Sequence, residues 1–208
     1  ADDSGGEDTW ADAARWCDVI VIGPGLGTSV ASREREQWFL TAAAREKKPL
    51  ILDADGLNLL AAHPQWYQYL GEHVVLTPHI GEMSRLSGRT IQEIQHEIAD
   101  TALKCAEKTG SVCVLKDACT VIADEKGQMY LNLSGNSGMA TAGSGDVLAG
   151  IIVSLICQKI NPDLSAVMGT FIHGYAGDIA TEKYSKMGMT AQKIITELPK
   201  TLSAFEKG

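Results

Sequence analysis

Gly135-Asn136-Ser137-Gly138-Met139-Ala140-Thr141-Ala142-Gly143-Ser144-Gly145-Asp146, running straight into Val147-Leu148-Ala149-Gly150-Ile151-Ile152, decides how this chain is read. A loop of small residues ends in an aspartate, and the aspartate opens an apolar helix. Small residues let backbone N–H groups approach a ligand closely. The first turn of a helix adds unpaired donors and the positive end of a dipole. Such a junction is an anion site, most often for phosphate. Asp146 sets one carboxylate beside that anion, where it can take a proton. The pattern points to a nucleotide and a hydroxyl group.

Outward from that loop, the chain alternates short apolar runs with helical patterns. Asp18-Val19-Ile20-Val21-Ile22-Gly23 reads as a buried strand ending in the tight loop Gly23-Pro24-Gly25-Leu26-Gly27. Arg33 to Lys47 has helical composition and stops before Pro49. Pro49 to Asp55, Val74 to His79 and Ser111 to Lys116 read as further buried strands. Thr90 to Thr109 reads as one helix with Ile91, Ile94, Ile98, Ala102 and Cys105 on a common face. Thr120 to Ala123 and Met129 to Leu133 read as a hairpin. Beyond Asp146, two apolar stripes at helical spacing follow. The second runs through Leu164, Val167, Met168, Phe171, Ile172, Tyr175 and Ile179. A last amphipathic helix from Thr190 to about Leu198 is expected to break or kink at Pro199. Strands apolar on both faces, alternating with helices, predict an α/β fold with a mainly parallel sheet covered on both sides. No repeat or linker divides it, so residues 1–208 are expected to form one domain.

The bulk numbers exclude several classes. The net charge is −8, whereas a nucleic-acid binder usually carries a basic face. No apolar run reaches the ~18–20 residues of a membrane span. The first ten residues are acidic and glycine-bearing, unlike a signal peptide. Cys17, Cys105, Cys113, Cys119 and Cys157 are odd in number and form no C-x-x-C pair. They read as reduced thiols, mostly core filler, in a cytoplasmic protein.

The residues able to do chemistry gather at the carboxyl ends of the predicted strands, where ligands bind in such sheets. Gly25 and Gly27 allow close backbone approach to a ligand. His79 and Glu82, in Thr77-Pro78-His79-Ile80-Gly81-Glu82, place a donor and a carboxylate three residues apart; the glutamate can hold water around Mg²⁺. Lys116, in Lys116-Asp117-Ala118-Cys119-Thr120, can meet phosphate charge. Asp53 and Asp55 alternate at a strand end and so face opposite sides, unless one caps the next helix. His63, His73, His96 and His173 share no ligand spacing and read as structural or solvated. His173-Gly174-Tyr175-Ala176-Gly177-Asp178 reads as close helix packing through glycines.

Five of these segments, in this order, resemble the ribokinase-like superfamily, and within it the ADP/ATP-dependent NAD(P)HX dehydratases. They are Val21 to Gly27, Leu52 to Asn58, Leu76 to Glu82, Leu115 to Thr120 and Gly135 to Asp146. The resemblance covers nearly the whole chain. It implies a three-layer αβα sandwich whose N-terminal part is missing here. It implies phosphorylation of the ring hydroxyl of hydrated NADH or NADPH (NADHX, NADPHX) by ADP or ATP with Mg²⁺, followed by loss of phosphate. By the same resemblance Asp146 is the base. Gly25, Gly27, His79 and Asp146 meet the hydrated dinucleotide. Lys116, Asp117, Ala118, Cys119, Thr120, Asn136, Gly143, Ser144 and Gly145 meet the adenine nucleotide, and Glu82 meets the metal indirectly. A homo-oligomer, often a tetramer, is implied as well. A small-molecule kinase of the same fold and a nucleotide-binding module without turnover stay open as alternatives.

Overall fold

The computed structural model describes residues 7–205; the acidic stretch before them, part of the segment read as unlike a signal peptide, lies outside the described residues. The chain runs α1 (Glu7–Trp16), β1 (Ile20–Ile22), α2 (Val30–Glu46), β2 (Leu50–Leu52), α3 (Ala54–Ala62), β3 (Val74–Leu76), α4 (Ile80–Ser87), α5 (Ile91–His96) and α6 (Ile98–Thr109). It continues with β4 (Val112–Leu115), β5 (Thr120–Ala123), β6 (Met129–Asn132), α7 (Ser144–Cys157), α8 (Pro162–Tyr184) and α9 (Ala191–Phe205). The strands form a single six-stranded sheet in chain order, β1 to β6. β1 through β4 pair in parallel, with Leu50 opposite Ile20 and Val74, and β4, β5 and β6 pair antiparallel.

Side-chain alternation along the strands separates two cores. Leu50, Leu52, Val74, Leu76, Cys113 and Leu115 point to one face, where Leu40 of α2, Leu57 and Leu60 of α3, Met83 of α4 and Ala106 of α6 cover them. Ile51, Val75, Val112 and Val114 point to the other, against Leu148, Ile152 and Ile156 of α7 and Ala166 of α8. This is the expected three-layer αβα sandwich, and covering on both faces explains why the strands read as unbroken apolar runs.

Four local expectations are corrected. The helix predicted over Thr90–Thr109 is two helices, broken at Glu97 (φ −130, ψ 44), and Ile91 is exposed. A capping box of Thr90 with Glu93 starts the first, and the second rotates its buried face to Thr101, Ala102, Ala106 and Thr109. The strand ends at Leu52, so Asp53 and Asp55 do not alternate on it; as the alternative had it, one of them, Asp53, is the N-cap residue of α3, without a side-chain cap bond, and Asp55 lies in the first turn. α9 runs through Pro199; the missing N–H falls opposite the exposed Ile195 side, where water can serve the freed carbonyl. In α8 the buried face follows small residues (Ala166, Gly169, Ala176, Ala180) with Ile172 and Ile179, while Leu164, Phe171 and Tyr175 of the predicted stripe are exposed. Of the cysteines, Cys113 is buried but Cys119 and Cys157 are exposed. No helix among the described residues is long and apolar enough to cross a membrane.

Candidate functional site

The carboxyl ends of β1 to β4 meet the amino end of α7. At β1, Gly23 adopts φ +126, and a Cβ there would lie 1.6 Å from the Asp53 carbonyl oxygen, so the position accepts only glycine. The loop that follows is tied down from the first turn of α3: the Gly27 N–H donates to Asp55 Oδ2 at 2.9 Å. Ala54 sits between the two aspartates with φ +48, a left-handed conformation that a non-glycine residue adopts only under constraint.

His79 and Lys116 end neighbouring strands and form a parallel bridge, with the Lys116 N–H donating to the Pro78 carbonyl at 2.8 Å. His79 caps α4: its Nδ1 accepts from Gly81 N at 2.9 Å, and its own N–H donates to Glu82 Oε2 at 2.8 Å. An accepting Nδ1 puts the ring proton on Nε2. That nitrogen lies 3.3 Å from Glu82 Oε1, on a side chain 56% exposed and so open to a ligand. Glu82 is buried, which raises its pKa against the opposing pull of the His79 N–H and Lys116.

Lys116 Nζ donates to Asp53 Oδ1 at 2.9 Å, and Asp53 is buried. The pair stands over Gly145: a Cβ there would meet Lys116 Nζ at 3.4 Å and Asp53 Oδ2 at 3.7 Å. α7 opens behind Gly143 (φ +83) with no side-chain cap. Ser144 N donates to Thr141 O and Val147 N to Gly143 O, and the N–H groups of Gly145 and Asp146 between them have no acceptor among the described residues. Two free donors, a helix dipole and an ammonium paired with the Asp53 carboxylate thus gather at the start of α7, a donor set of the kind that suits an anion.

That point lies on the wall of a cavity of about 680 Å³, a volume in the range of small-molecule sites. Lys116, Asp117, Ala118, Thr120, Asn136, Ser144 and Gly145 line it, and so does His79; Cys119 and Gly143 flank it without lining it. Gly25, Gly27 and Asp146 stand outside this cavity. Asp146 instead edges a separate, largely apolar groove of about 440 Å³ with Val147, Ile151 and Leu198. The first turn of α7 therefore has two sides, one polar with Lys116 and one bearing the Asp146 carboxylate. Among the described residues no three His, Cys, Asp or Glu side chains gather as a metal cluster.

The sequence singles out Asp53 and Asp55 but not their partners, Lys116 and Gly27, and it gives His173 and Asp178 no place in the site. His173 of α8 lines the cavity, with Nε2 3.3 Å from Ser144 Oγ, and burial lowers its pKa to about 4. Asp178 was hidden in what read as glycine packing. The packing is real, since a Cβ at Gly174 would lie 2.2 Å from Ser134 Oγ, but the same helix face also makes polar contacts to the loop.

Comparison with known proteins gives the family and the fold. The family model described as NAD(P)H-hydrate dehydratase matches residues 3–200. The chain belongs to the NAD(P)H-hydrate dehydratase family. It is 43% identical over 190 residues to the bifunctional NAD(P)H-hydrate repair enzyme Nnr of Thermofilum pendens, covering 91% of this chain and 36% of that protein. It thus spans about a third of the length of such bifunctional relatives. Among solved structures, the ADP/ATP-dependent NAD(P)H-hydrate dehydratase of Bacillus subtilis, co-crystallised with ATP/Mg²⁺ and soaked with CoA, is 30% identical with a TM-score of 0.78, over 96% of this chain and 73% of that one. A ribokinase-like superfamily protein of Enterococcus faecalis is 29% identical with a TM-score of 0.80, over 95% and 68%. The fold of this dehydratase-family chain is therefore ribokinase-like.

Proposed function

We propose that this chain, as a single domain of residues 1–208, returns hydrated NADH and NADPH to NADH and NADPH at the expense of ADP or ATP. The observation that supports the reading is the meeting of Lys116 Nζ and Gly145, whose N–H is free, on one wall of a cavity of about 680 Å³, with the free Asp146 N–H next in the same helix turn. The adenine nucleotide lies in that cavity against Lys116, Asp117, Ala118 and Thr120, with Cys119, Asn136, Gly143 and Ser144 around it. Its terminal phosphoryl group faces Gly145. The hydrated nicotinamide lies across the turn, against Gly25, Gly27 and the Nε2–H of His79, with its hydroxyl toward Asp146.

Asp146 takes the hydroxyl proton as the oxygen attacks the terminal phosphorus, and the bond from that phosphorus to the rest of the nucleotide breaks. Lys116 and the α7 donors hold the charge that develops on the transferring group. The phosphate then leaves the ring carbon, a proton leaves its neighbour, and the ring double bond returns. With ADP the sum is NADHX and ADP to NADH, AMP and phosphate. A Mg²⁺ ion carried in by the phosphates would neutralise their charge, and Glu82 would meet it only indirectly. A homo-oligomer and a cytoplasmic location belong to the same reading.

Recovery of NADH absorbance from purified NADHX, with Mg²⁺ and either ADP or ATP, tests this. Recovery with release of inorganic phosphate supports the dehydratase and names the donor. Phosphate retained on the product would replace it with a kinase, and nucleotide binding without turnover would replace it with a binding module.

A further inference from the structure

α8 presents one face to the loop that precedes the anion site. Along that face the Phe171 carbonyl accepts from Ser134 Oγ at 3.2 Å, and Gly174 and Gly177 leave room that the loop fills. A Cβ at Gly177 would lie 2.2 Å from Met139 Sδ. Asp178 closes the row. Its Oδ2 accepts from Gly135 N at 2.9 Å, and its Oδ1 accepts from Asn136 Nδ2 at 2.9 Å. The second amide hydrogen of Asn136 goes to the Gly177 carbonyl at 3.1 Å, and its Oδ1 accepts from Gly138 N at 3.0 Å. Both donors of the Asn136 side chain are therefore spent inside the protein. That side chain shapes the loop, leaving the backbone to face the cavity.

We infer that Asp178 is the positioning residue of the phosphate-binding loop: its carboxylate, braced on α8, fixes Gly135 and Asn136 so that the wall formed by Asn136, Ser137, Met139, Ala140 and Thr141 is set before the nucleotide arrives. Gly135 sits at φ +102, and no acceptor for its N–H other than Asp178 is found among the described residues. Bonds to a carboxylate are the strong ones, and they cross more than 40 residues of sequence, so the loop cannot make them by itself. A loop held in its binding conformation is preorganised. Released, it samples that conformation for only a fraction of the time, and the apparent dissociation constant rises by the reciprocal of that fraction. The inference rests on the nucleotide reading of the cavity.

The experiment compares the full chain with Asp178→Ala, Asp178→Asn and the exchange pair N136D/D178N. ADP affinity is read by titration calorimetry and amide hydrogen exchange over residues 134–139 by mass spectrometry. Asp178→Ala weakens ADP binding about tenfold or more, speeds exchange in the loop, and leaves the sheet protected. With NADHX as substrate, KM for ADP rises while KM for NADHX holds. N136D/D178N swaps donor and acceptor and restores the bond between positions 136 and 178, but sets a carboxylate against the Gly177 carbonyl, so it recovers only part of the affinity lost in Asp178→Asn. ADP affinity within about twofold of wild type in a folded Asp178→Ala overturns the inference. So does a loss accompanied by sheet-wide exchange that the exchange pair does not repair. If the wild-type chain binds no ADP, the nucleotide reading fails, and loop exchange alone decides: unchanged protection in Asp178→Ala then overturns the positioning role.

Discussion

Lys116 Nζ lies 2.9 Å from Asp53 Oδ1, two residues 63 positions apart that the sheet brings to the start of α7. The relationship is lopsided: the aspartate side chain is 4% exposed and the lysine 21%. Each residue alone reads as an ordinary polar turn. Together they fix where an ammonium stands above Gly145.

That asymmetry predicts unequal substitutions. Lys116→Met strands a buried carboxylate and should cost about 3 kcal/mol or more in urea denaturation. Asp53→Asn leaves an ammonium that water can still reach and should cost roughly 1 kcal/mol. Both should weaken ADP binding, the lysine variant more. Equal stability losses would show that the pair is not buried as described.

Asp146 makes the opposite case. Its side chain is exposed and has no hydrogen-bond partner among the described residues. Asp146→Asn should leave the melting temperature unchanged, as surface substitutions usually do, and leave ADP affinity intact. Turnover of NADHX should drop by roughly 10²–10⁴-fold. Near-normal turnover in that variant would remove Asp146 from the role of base.

Two glycines of one loop should respond differently. A methyl group at Gly23 has the Asp53 carbonyl in its way, whereas nothing lies within 4 Å of one at Gly25, whose φ is +67. Gly25→Ala should cost only the ~1–2 kcal/mol of a left-handed alanine. Gly23→Ala should fail to fold or melt far lower. Thermal denaturation followed by circular dichroism compares them directly.

Glu36, fully buried on α2, has neither carboxyl oxygen hydrogen-bonded among the described residues, and burial raises its pKa to about 8. The folded chain therefore keeps the proton while the unfolded chain loses it near pH 4.5. Stability falls as pH rises from about 5 to about 8, by up to ~1.4 kcal/mol per pH unit from this group. Glu36→Gln should abolish that slope and be the more stable protein at pH 8. Parallel urea curves for the two proteins across that window would show the carboxyl to be ionised in the fold.

The sheet was legible because its physics is local. β2 to β4 are buried on both faces, so Leu50–Leu52 or Val74–Leu76 announces itself as an apolar run; β1 is apolar too, though its Val21 is exposed. The junction of loop and helix before Val147 was legible because its small residues and the aspartate in the first turn of α7 are contiguous. What stayed hidden depends on partners far along the chain. The break at Glu97 falls inside an uninterrupted helical period, and only the Thr90 capping box and a shifted packing face reveal it. His173 reads as a buried imidazole until Ser144, 29 residues away, is set beside it. Asp178 looks like the end of a glycine stripe until Gly135 reaches it.

Every pairing in the sheet joins consecutive strands. A chain emerging from a ribosome can therefore lay down β1 through β6 in order, each new strand docking on the one just made, without waiting for distant sequence. The loop at Gly135 is synthesised early in that sense but acquires its anchor only when Asp178 follows. Scaffold and loop thus mature at different moments: a nascent chain cut short before α8 would own all six strands of the sheet and an unanchored loop at Gly135.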